Sequence, residues 1–441
     1  MRRTHSRYAT SIRSAVLAAI ALGVTGIAEA VPVYNKDDMS VELYGILDVG
    51  IGTLEHSYAG SSTFASTVNP YNLNSSPNSF TGIYTGGISM SRVGIRGEAK
   101  TDSGVRFLFR FESAINVTSG ELSNNGKSLY NNINGLKTAN GASAINGQLF
   151  SRAAYAGVGY EQFGTLEIGR TPNLSLDQVV EYDPVQAALL YSPLGFSGGI
   201  GGGLGATENT RLDNSLKYEN HIAGVNIGLQ YKFKGDQNNQ SAGHGYVAML
   251  GYSLGSVSVK GTFSEMTNIP AWGVQYSNVV APDPNLQIEN SKGYMLTALY
   301  KIGEVANLKA GYENIQVTAP SDPNLTSIQN YFGLVLPEPA VNVTGEQVLS
   351  LWWVGGDYKF THAFDLGVGF YDINTYNHPE VGKAYDAEAG SILADYTFTK
   401  SFDAYVGIML LHYSGVGLEK KKPVIAYDDN ALYGVGLRVR F

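Results

Sequence analysis

Hydrophobic and polar residues alternate with a period of two along most of the chain. In residues 104–112, GVRFLFRFE, one parity carries Val105, Phe107, Phe109 and Phe111, and the other carries Arg106, Leu108, Arg110 and Glu112. Successive side chains of an extended strand point to opposite faces of a sheet, so this pattern predicts strands with one apolar and one polar face. The same alternation occurs in residues 41–51, 225–234 and 433–441. We therefore expect an all-β chain.

Two architectures use strands of this kind. In a soluble sandwich the apolar face packs against a second sheet, whereas in a transmembrane barrel it contacts lipid and the polar face lines an aqueous lumen. Aromatic residues favour the barrel, because strands repeatedly end in aromatic pairs on the apolar parity, where such rings suit the lipid–water interface. These pairs are Tyr231 with Phe233, Tyr358 with Phe360, and Tyr396 with Phe398.

The lengths of the connections also favour a membrane barrel. Short turns alternate with long loops rich in Asn, Ser and Gly, and the long loops include residues 55–86, 119–149, 172–209, 268–290 and 317–348. Short turns at one end and long loops at the other are typical of outer-membrane barrels. We count about 16 alternating segments, and barrels of that size enclose an aqueous channel. The sequence therefore predicts a transmembrane antiparallel β-barrel with long extracellular loops.

The N-terminus has the pattern of an export signal. Four arginines precede residue 14, residues 15–27 form an apolar run, and Ala28-Glu29-Ala30 matches a small-x-small cleavage site. A run of that length is too short to cross a bilayer core as a helix, which needs about 20 residues. We therefore expect residues 1–30 to be a signal peptide and residues 31–441 to form the barrel.

Composition narrows the classes of partner and chemistry. The 441 residues contain no cysteine, which excludes a disulfide scaffold, cysteine-based zinc sites and thiol catalysis. The formal net charge of −8 argues against nucleic acid, because phosphate binding needs a basic surface. The seven histidines lack the spacing of a metal motif, and Gly201-x-Gly203-x-x-Ala206 lacks the following helix of a nucleotide site. We expect no metal and no cofactor.

One pair of residues raises the question of an enzyme on the barrel wall. Ser414 lies two residues after His412, so both side chains share one face of a strand. A nucleophilic serine also needs a group that orients its histidine, and the sequence around this pair does not indicate one. We therefore expect that the protein is not an enzyme.

Five stretches spread through the chain carry a family resemblance. They are VELYGILDVGI (41–51), SRVGIRGEAKTDSGVRFLFRFES (91–113), LFSRAAYAGVGYEQFGTLEIGR (149–170), RLDNSLKYEN (211–220) and GVGLRVRF (434–441). In order and spacing they resemble the Gram-negative general porins, most closely the trimeric porins of β-proteobacteria such as Burkholderia, Neisseria and Comamonas. The resemblance implies a homotrimer in the outer-membrane lipid, with the third extracellular loop folded into each pore. It also implies that the terminal Phe441 is a signal to the outer-membrane assembly machinery.

The resemblance further implies a constriction with two charged sides. The third loop, residues 172–209, would supply the acidic side from Asp177, Glu181 and Asp183. The basic side would consist of Arg92, Arg152 and Arg211 at the matching motif positions, joined by Arg110 because of its lumen parity. A positive wall facing a negative loop sets a transverse field, which favours polar over apolar solutes.

These expectations converge on a water-filled channel for passive diffusion of small hydrophilic solutes and ions. The alternative is a substrate-specific channel on the same scaffold, in which the lumen-parity aromatics Tyr44, Tyr371 and Tyr405 would contact a sugar. An adhesive role for the long loops is a third interpretation. The direction of ion selectivity stays open at this point, because the arginines favour anions and the loop acids favour cations.

Overall fold

The computed structural model describes residues 30–36, 38–55, 79–118, 149–196, 211–234, 243–275, 283–321, 346–376, 385–415 and 429–441, with shorter pieces at 120, 122, 139–140, 144–145, 330–331, 334–335 and 341–342. The expected signal peptide lies outside the described residues except for Ala30. Within the described ranges, no helix is long and apolar enough to cross a membrane.

Sixteen antiparallel strands form one barrel. They are β1 Met39–Leu54, β2 in two parts Phe80–Thr85 and Arg92–Lys100, β3 Arg106–Ala114, β4 Ala153–Tyr160, β5 Gly164–Pro172, β6 Arg211–Ile222, β7 Val225–Lys232, β8 His244–Leu254, β9 Val257–Gln275, β10 Asp283–Ile302, β11 Ala306–Thr318, β12 Gln347–Lys359, β13 Phe364–Tyr376, β14 Tyr385–Thr399, β15 Phe402–Gly415 and β16 Asp429–Arg440. Shorter strands are Val31–Lys36, which pairs with β1, and Ala139–Asn140, Ala144–Ile145, Asn330–Tyr331, Leu334–Val335 and Val341–Asn342.

The first and last strands close the barrel. Each of the sixteen strands pairs with the next along the chain, and β16 pairs with β1 from Ile46↔Arg440 to Leu54↔Leu432. The terminal Phe441 continues this ladder, because its carbonyl oxygen accepts from the N–H of Gly45 at 2.8 Å and its N–H donates to the Gly45 carbonyl at 3.1 Å. Closure pairs the backbone of both edge strands, as hydrocarbon requires. The predicted sixteen-stranded barrel is confirmed.

The outward face of the barrel is apolar, as the alternation predicts. On β8, Tyr246, Leu250 and Tyr252 are exposed, whereas Val247 and Met249 between them are buried on the inward side. Exposed apolar side chains on one parity of so many strands form the surface that contacts lipid. The aromatic pairs lie near both rims of this band, with ring centroids 4.8–4.9 Å apart within each pair.

A row of polar side chains crosses the outward face near the long loops. Trp352, Asp372, Glu388, His412 and Asp429 lie side by side on β12 to β16, each paired in register with the next. Trp352 Nε1 donates to Asp372 Oδ2 at 2.6 Å, and His412 Nδ1 lies 2.7 Å from Asp429 Oδ1. Charged side chains on the outward face cost little at the interface and much in hydrocarbon. The row therefore marks the loop-side edge of the lipid-facing band.

Two predicted loops are wrong in part, because a strand replaces loop at residues 80–85 of the loop 55–86 and through most of the loop 268–290. Residues 268–290 were expected to form a loop, but β9 and β10 extend through most of this range and pair from Ile269↔Glu289 to Gln275↔Asp283 after a bulge. The two strands have 19 and 20 residues, whereas a bilayer needs about 9–11 tilted residues. The hairpin thus continues beyond the membrane, because cross-strand pairing carries on after the lipid-facing part has ended.

Strand β2 is interrupted at residues 86–91, a break that the sequence pattern does not predict. Both parts of β2 pair with β1, and the residues between them leave the ladder. The buried carboxylate of Asp48 accepts from the N–H groups of Gly87, Ile88 and Ser89 at 2.7–3.0 Å. The hydroxyl of Tyr405 on β15 donates to the same carboxylate at 2.5 Å. One side chain of β1 therefore satisfies three backbone N–H groups of the interruption.

The third long loop begins with a helix, α1, Leu174–Tyr182. Its N-cap is Asn173, whose side chain accepts from the N–H of Ser175 at 3.0 Å, and caps of this type satisfy a donor that the helix leaves unpaired. The helix contacts β7 to β11. Leu174 packs against Gly228, whose parity is opposite to that of the exposed Leu229 and Tyr231. The helix therefore lies against the face of the sheet that points away from the lipid.

Candidate functional site

Three of the four predicted arginines meet at one buried carboxylate. Arg110 on β3, Arg92 at the start of the second part of β2, and Arg152 immediately before β4 all approach Glu112 on β3. The nitrogen–oxygen distances are 2.6 Å from Arg110 Nη2, 3.8 Å from Arg92 Nε and 2.5 Å from Arg152 Nε. We call Arg92, Arg110, Arg152 and Glu112 the arginine cluster. Its excess charge is two positive charges, three guanidinium groups less one carboxylate.

Arg211 and Arg170 extend the positive wall. Arg211 opens β6 and is buried close enough to Arg152 and Arg170 for their charges to repel. Arg170 Nη1 pairs with Asp213 Oδ1 at 2.6 Å, and its Nε donates to the Ser151 carbonyl at 2.9 Å. The structure thus brings the four predicted arginines into one arc of the wall, from β2 to β6, and adds Arg170 to them.

Tyr44, which the sequence offered as a sugar contact, belongs to the arginine cluster. Its hydroxyl donates to Glu112 Oε2 at 2.8 Å and accepts from Arg110 Nε at 2.7 Å. The guanidinium carbons of Arg96 and Arg110 lie 5.2 and 5.4 Å from the centre of its ring, within the range of a cation–π contact. The ring therefore stabilises the positive wall.

The loop acids Asp177 and Glu181 are paired with lysines of the wall behind α1. Lys217 Nζ on β6 lies 2.7 Å from Asp177 Oδ2 and 2.9 Å from Glu219 Oε2. Lys260 Nζ on β9 lies 2.6 Å from Glu181 Oε2. Both loop acids are therefore paired with lysines that the sequence analysis did not single out, and Lys217 is shared with Glu219.

Asp183 has a different environment, because it is fully buried at the end of α1. Its carboxylate accepts from the Tyr371 hydroxyl at 2.7 Å and from the N–H of Ala187 at 2.6 Å. Lys309 Nζ donates to the Asp183 carbonyl at 3.1 Å. Burial raises the pKa of the Asp183 carboxyl above its ordinary value, while these hydrogen bonds and the lysine oppose the rise. This residue anchors the loop to β13 and β11.

The far end of the described loop is anchored to the interruption of β2. The N–H of Leu190 donates to the Gly87 carbonyl at 3.0 Å. The Tyr191 and Tyr84 hydroxyl oxygens lie 3.0 Å apart, and the Tyr191 ring meets Tyr405 edge-on at 6.2 Å. The loop therefore follows the wall from β6 round to β15 and the first part of β2.

No group of three or more His, Asp or Glu side chains that could hold a metal occurs in the described ranges. The histidine of the His412–Ser414 pair is engaged with Asp429 in the polar row of the outward face. Both residues of the pair lie at the edge of the lipid-facing band, away from the arginines and the loop acids.

Comparison with known proteins agrees with this architecture. The Gram-negative porin family matches residues 14–415. An outer membrane porin of Bordetella pertussis is 29% identical over 234 residues, which is 52% of this chain and 50% of that protein, so the chain spans about half the length of this relative.

Solved structures share the fold at low identity. An anion-selective porin from Comamonas acidovorans has a TM-score of 0.60 at 16% identity, covering 91% of this chain and all of that one. The trimer form of OmpT from Vibrio cholerae has a TM-score of 0.55 at 14% identity, covering 92% of this chain and all of that one. With the closed barrel and the family match over most of its length, the chain belongs to the Gram-negative porin family.

Proposed function

We propose that the protein is a water-filled channel of the outer membrane for passive diffusion of small hydrophilic solutes and ions. The observation that carries this proposal is a closed sixteen-stranded barrel whose inner wall bears arginines and lysines while its outer wall is apolar. Barrels of about this size leave an aqueous lumen, whereas eight-stranded barrels are filled by side chains. Membership of the porin family supports the same function and an outer-membrane location.

The third loop sets the constriction in this proposal. Its described part, residues 173–196, is anchored at Asp183 and at Tyr191 and covers the wall from β6 onward. In this proposal the waist lies between the exposed side of α1 and the arginine arc. A narrow waist lined by fixed charges selects solutes by size and charge.

Charge balance at this waist favours anions. Five arginines, namely Arg92, Arg110, Arg152, Arg170 and Arg211, face two nearby carboxylates, Glu112 and Asp213, which leaves an excess of three positive charges. The carboxylates at α1 cancel only part of this excess, because Lys217 and Lys260 balance two of the three charges of Asp177, Glu181 and Glu219, so that an excess of two positive charges remains. Selectivity follows charges within about 8 Å of the waist at physiological salt. The likeness in fold to an anion-selective porin is in keeping with this preference.

Assembly as a homotrimer in outer-membrane lipid completes the proposal. A structural neighbour is described as a trimer, and the apolar outward face offers surface both for lipid and for a second copy. The terminal Phe441 closes the ladder with Gly45, so its recognition by the assembly machinery would couple insertion to barrel closure. Cleavage of residues 1–30 stays part of this proposal.

Two of the three aromatic residues that the sugar-specific alternative requires are not accessible to a solute. Tyr371 and Tyr405 are fully buried beneath the third loop, where their hydroxyls bind Asp183 and Asp48. Rings in that position cannot contact a passing solute. The geometry therefore favours a general channel over a sugar path built on these residues.

The reversal potential of purified, folded protein in a planar bilayer under a KCl gradient tests the proposal. We expect conductance steps in multiples of three and a potential that favours chloride. A potential that favours potassium would keep the channel but overturn the assignment of the arginine arc as its dominant charge. Folded, heat-modifiable protein that shows no conductance would overturn the channel function.

A further inference from the structure

Helix α1 presents an apolar strip to the open lumen. Helical periodicity puts Leu174, Gln178 and Tyr182 on the side that packs against the wall, and all three are buried. Leu176 and Val180 are four residues apart and share the opposite side. Val180 is 46% exposed and Leu176 is partly exposed. We call these two residues the apolar strip.

The apolar strip carries no charge of its own. Asp177 and Glu181, its neighbours in sequence, turn sideways to Lys217 and Lys260. Single exposed apolar residues are common on protein surfaces. Here, however, two of them point away from the wall behind the helix, on the inner side of the barrel.

The arc of wall that carries the arginines is positive and partly aromatic. It contains the arginine cluster and the Tyr44 ring, which lies beside Arg96 and Arg110. A solute at the waist therefore meets guanidinium groups from one part of the wall and aliphatic carbon from the helix. An anion with a charged end and an apolar face complements both surfaces at once, and a fully hydrated anion complements only the first.

We propose that the channel passes aryl monocarboxylates faster than hydrophilic anions of the same size and charge. The inference rests on the proposed channel function and names its preferred solute class. The carboxylate is drawn to the arginine cluster, and the ring displaces water from Leu176 and Val180. Contact equivalent to one buried methylene raises occupancy roughly threefold to fourfold. This preference runs against the simpler expectation that a constriction field disfavours every apolar solute.

Benzoate and nicotinate are a suitable pair of probes, because they have the same shape and charge and differ by one polar ring nitrogen. Their permeabilities relative to chloride follow from bi-ionic reversal potentials in planar bilayers, with potassium as the common cation, at a pH well above the pKa values of both carboxyl groups and of the nicotinate ring nitrogen. We expect benzoate to exceed nicotinate at least about twofold in the unmodified protein. Only ionic current sets this potential, so the neutral acid that crosses lipid does not contribute.

A double variant, Leu176→Asn with Val180→Thr, replaces the apolar strip with polar side chains that have the same number of non-hydrogen atoms. We expect it to lose the benzoate preference and to keep the preference for chloride over potassium. The control is Val354→Thr, an equivalent change on the lipid-facing side of β12, which should keep both. Equal permeabilities in the unmodified protein would overturn the inference and leave the channel function standing. A preference that survives in the double variant would overturn the role of the strip, and absence of all conductance would overturn the channel function itself.

Discussion

Arg152 donates through Nε to Oε1 of Glu112 at 2.5 Å, across the junction of β3 and β4. The same carboxylate pairs with Arg110 and lies 3.8 Å from Arg92. Three guanidinium groups this close would repel one another without a counter-charge, because Coulomb energies rise steeply at short range in a partly buried site. Glu112 therefore holds the positive wall together while leaving its net charge positive.

Replacing Glu112 with glutamine should raise anion selectivity and lower stability. The cluster gains one unit of positive charge, so the chloride-to-potassium permeability ratio should rise. Removing one partner of a buried ion pair costs about 3–5 kcal/mol, so the folded barrel should convert to the heat-denatured form at a lower temperature. Reversal potentials and the temperature of the gel-mobility shift measure the two effects.

The matched control is Glu42→Gln. Glu42 pairs with Arg96 at 2.9 Å, but its side chain is 34% exposed and that of Arg96 is 54% exposed. Exposed pairs contribute about 0–1 kcal/mol, so this variant should unfold close to the unmodified temperature. An equal loss of stability in both variants would show that Glu112 has no special place in the wall.

Lys260 should increase the preference for chloride over potassium, because it neutralises Glu181. In Lys260→Gln the carboxylate of Glu181 stands uncompensated beside the waist, and we expect the chloride-to-potassium ratio to fall. Lys292→Gln is the comparison, since Lys292 pairs with Glu265 on the outward face at 3.4 Å and should leave the ratio unchanged. A ratio that Lys260→Gln does not alter would place Glu181 too far from the waist to influence ions.

Most of the barrel could be predicted from sequence because strand sidedness is a local signal. The face of the sheet on which Val105 and Phe107 lie follows from the period of two alone, whichever strands they pair with. The interruption of β2 could not be predicted in this way, since it depends on Asp48, about 40 positions earlier in the chain, and on Tyr405 at the other end of it. A pattern read over a few residues does not contain such distant hydrogen bonds.

The candidate site, like the fold, could be predicted from the sequence only in part. Arg110 and Glu112 share a parity, so their presence together on the lumen side follows from the alternation. The lysine partners of Asp177 and Glu181 cannot be predicted from the alternation, because they depend on which strands α1 packs against. That packing is decided by contacts such as Leu174 against Gly228, between segments some 50 residues apart.

Tyr371→Phe should loosen the third loop. The variant keeps the buried ring but removes the hydroxyl that donates to Asp183 Oδ1 at 2.7 Å. A hydrogen bond to a charged group contributes about 1.5–3 kcal/mol. Without it, the third loop should leave its anchored position more often. We expect more frequent conductance fluctuations in single-channel records at an unchanged mean selectivity. Records as quiet as those of the unmodified protein would indicate that Trp353, whose Nε1 donates to the Tyr182 carbonyl at 3.1 Å, is the stronger anchor.

The anchoring of this loop should depend on pH. Burial raises the pKa of Asp183 in the docked loop, so docking favours the neutral carboxyl. Its contribution to docking is therefore complete below the ordinary aspartate pKa of about 3.9 and is lost as the pH rises through the raised value. We expect fewer loop fluctuations at about pH 4 than at about pH 7. Asp183→Asn should abolish that difference, and an unchanged pH dependence in this variant would assign it to another group.

Asp48 should be more important to stability than an ordinary buried carboxylate, because it holds backbone as well as side chain. In Asp48→Ala the N–H groups of Gly87, Ile88 and Ser89 lose their acceptor, and each buried donor left unpaired costs about 1–3 kcal/mol. Asp48→Asn keeps one carbonyl oxygen as an acceptor. Its thermal unfolding temperature in detergent should therefore lie between that of Asp48→Ala and that of the unmodified protein. If alanine unfolded at the unmodified temperature, residues 86–91 would have to be held by their other contacts, which include Leu190 of the third loop on Gly87 and Arg438 on Ser89. In that case Tyr371→Phe, which frees the other end of that loop, should destabilise the interruption as well.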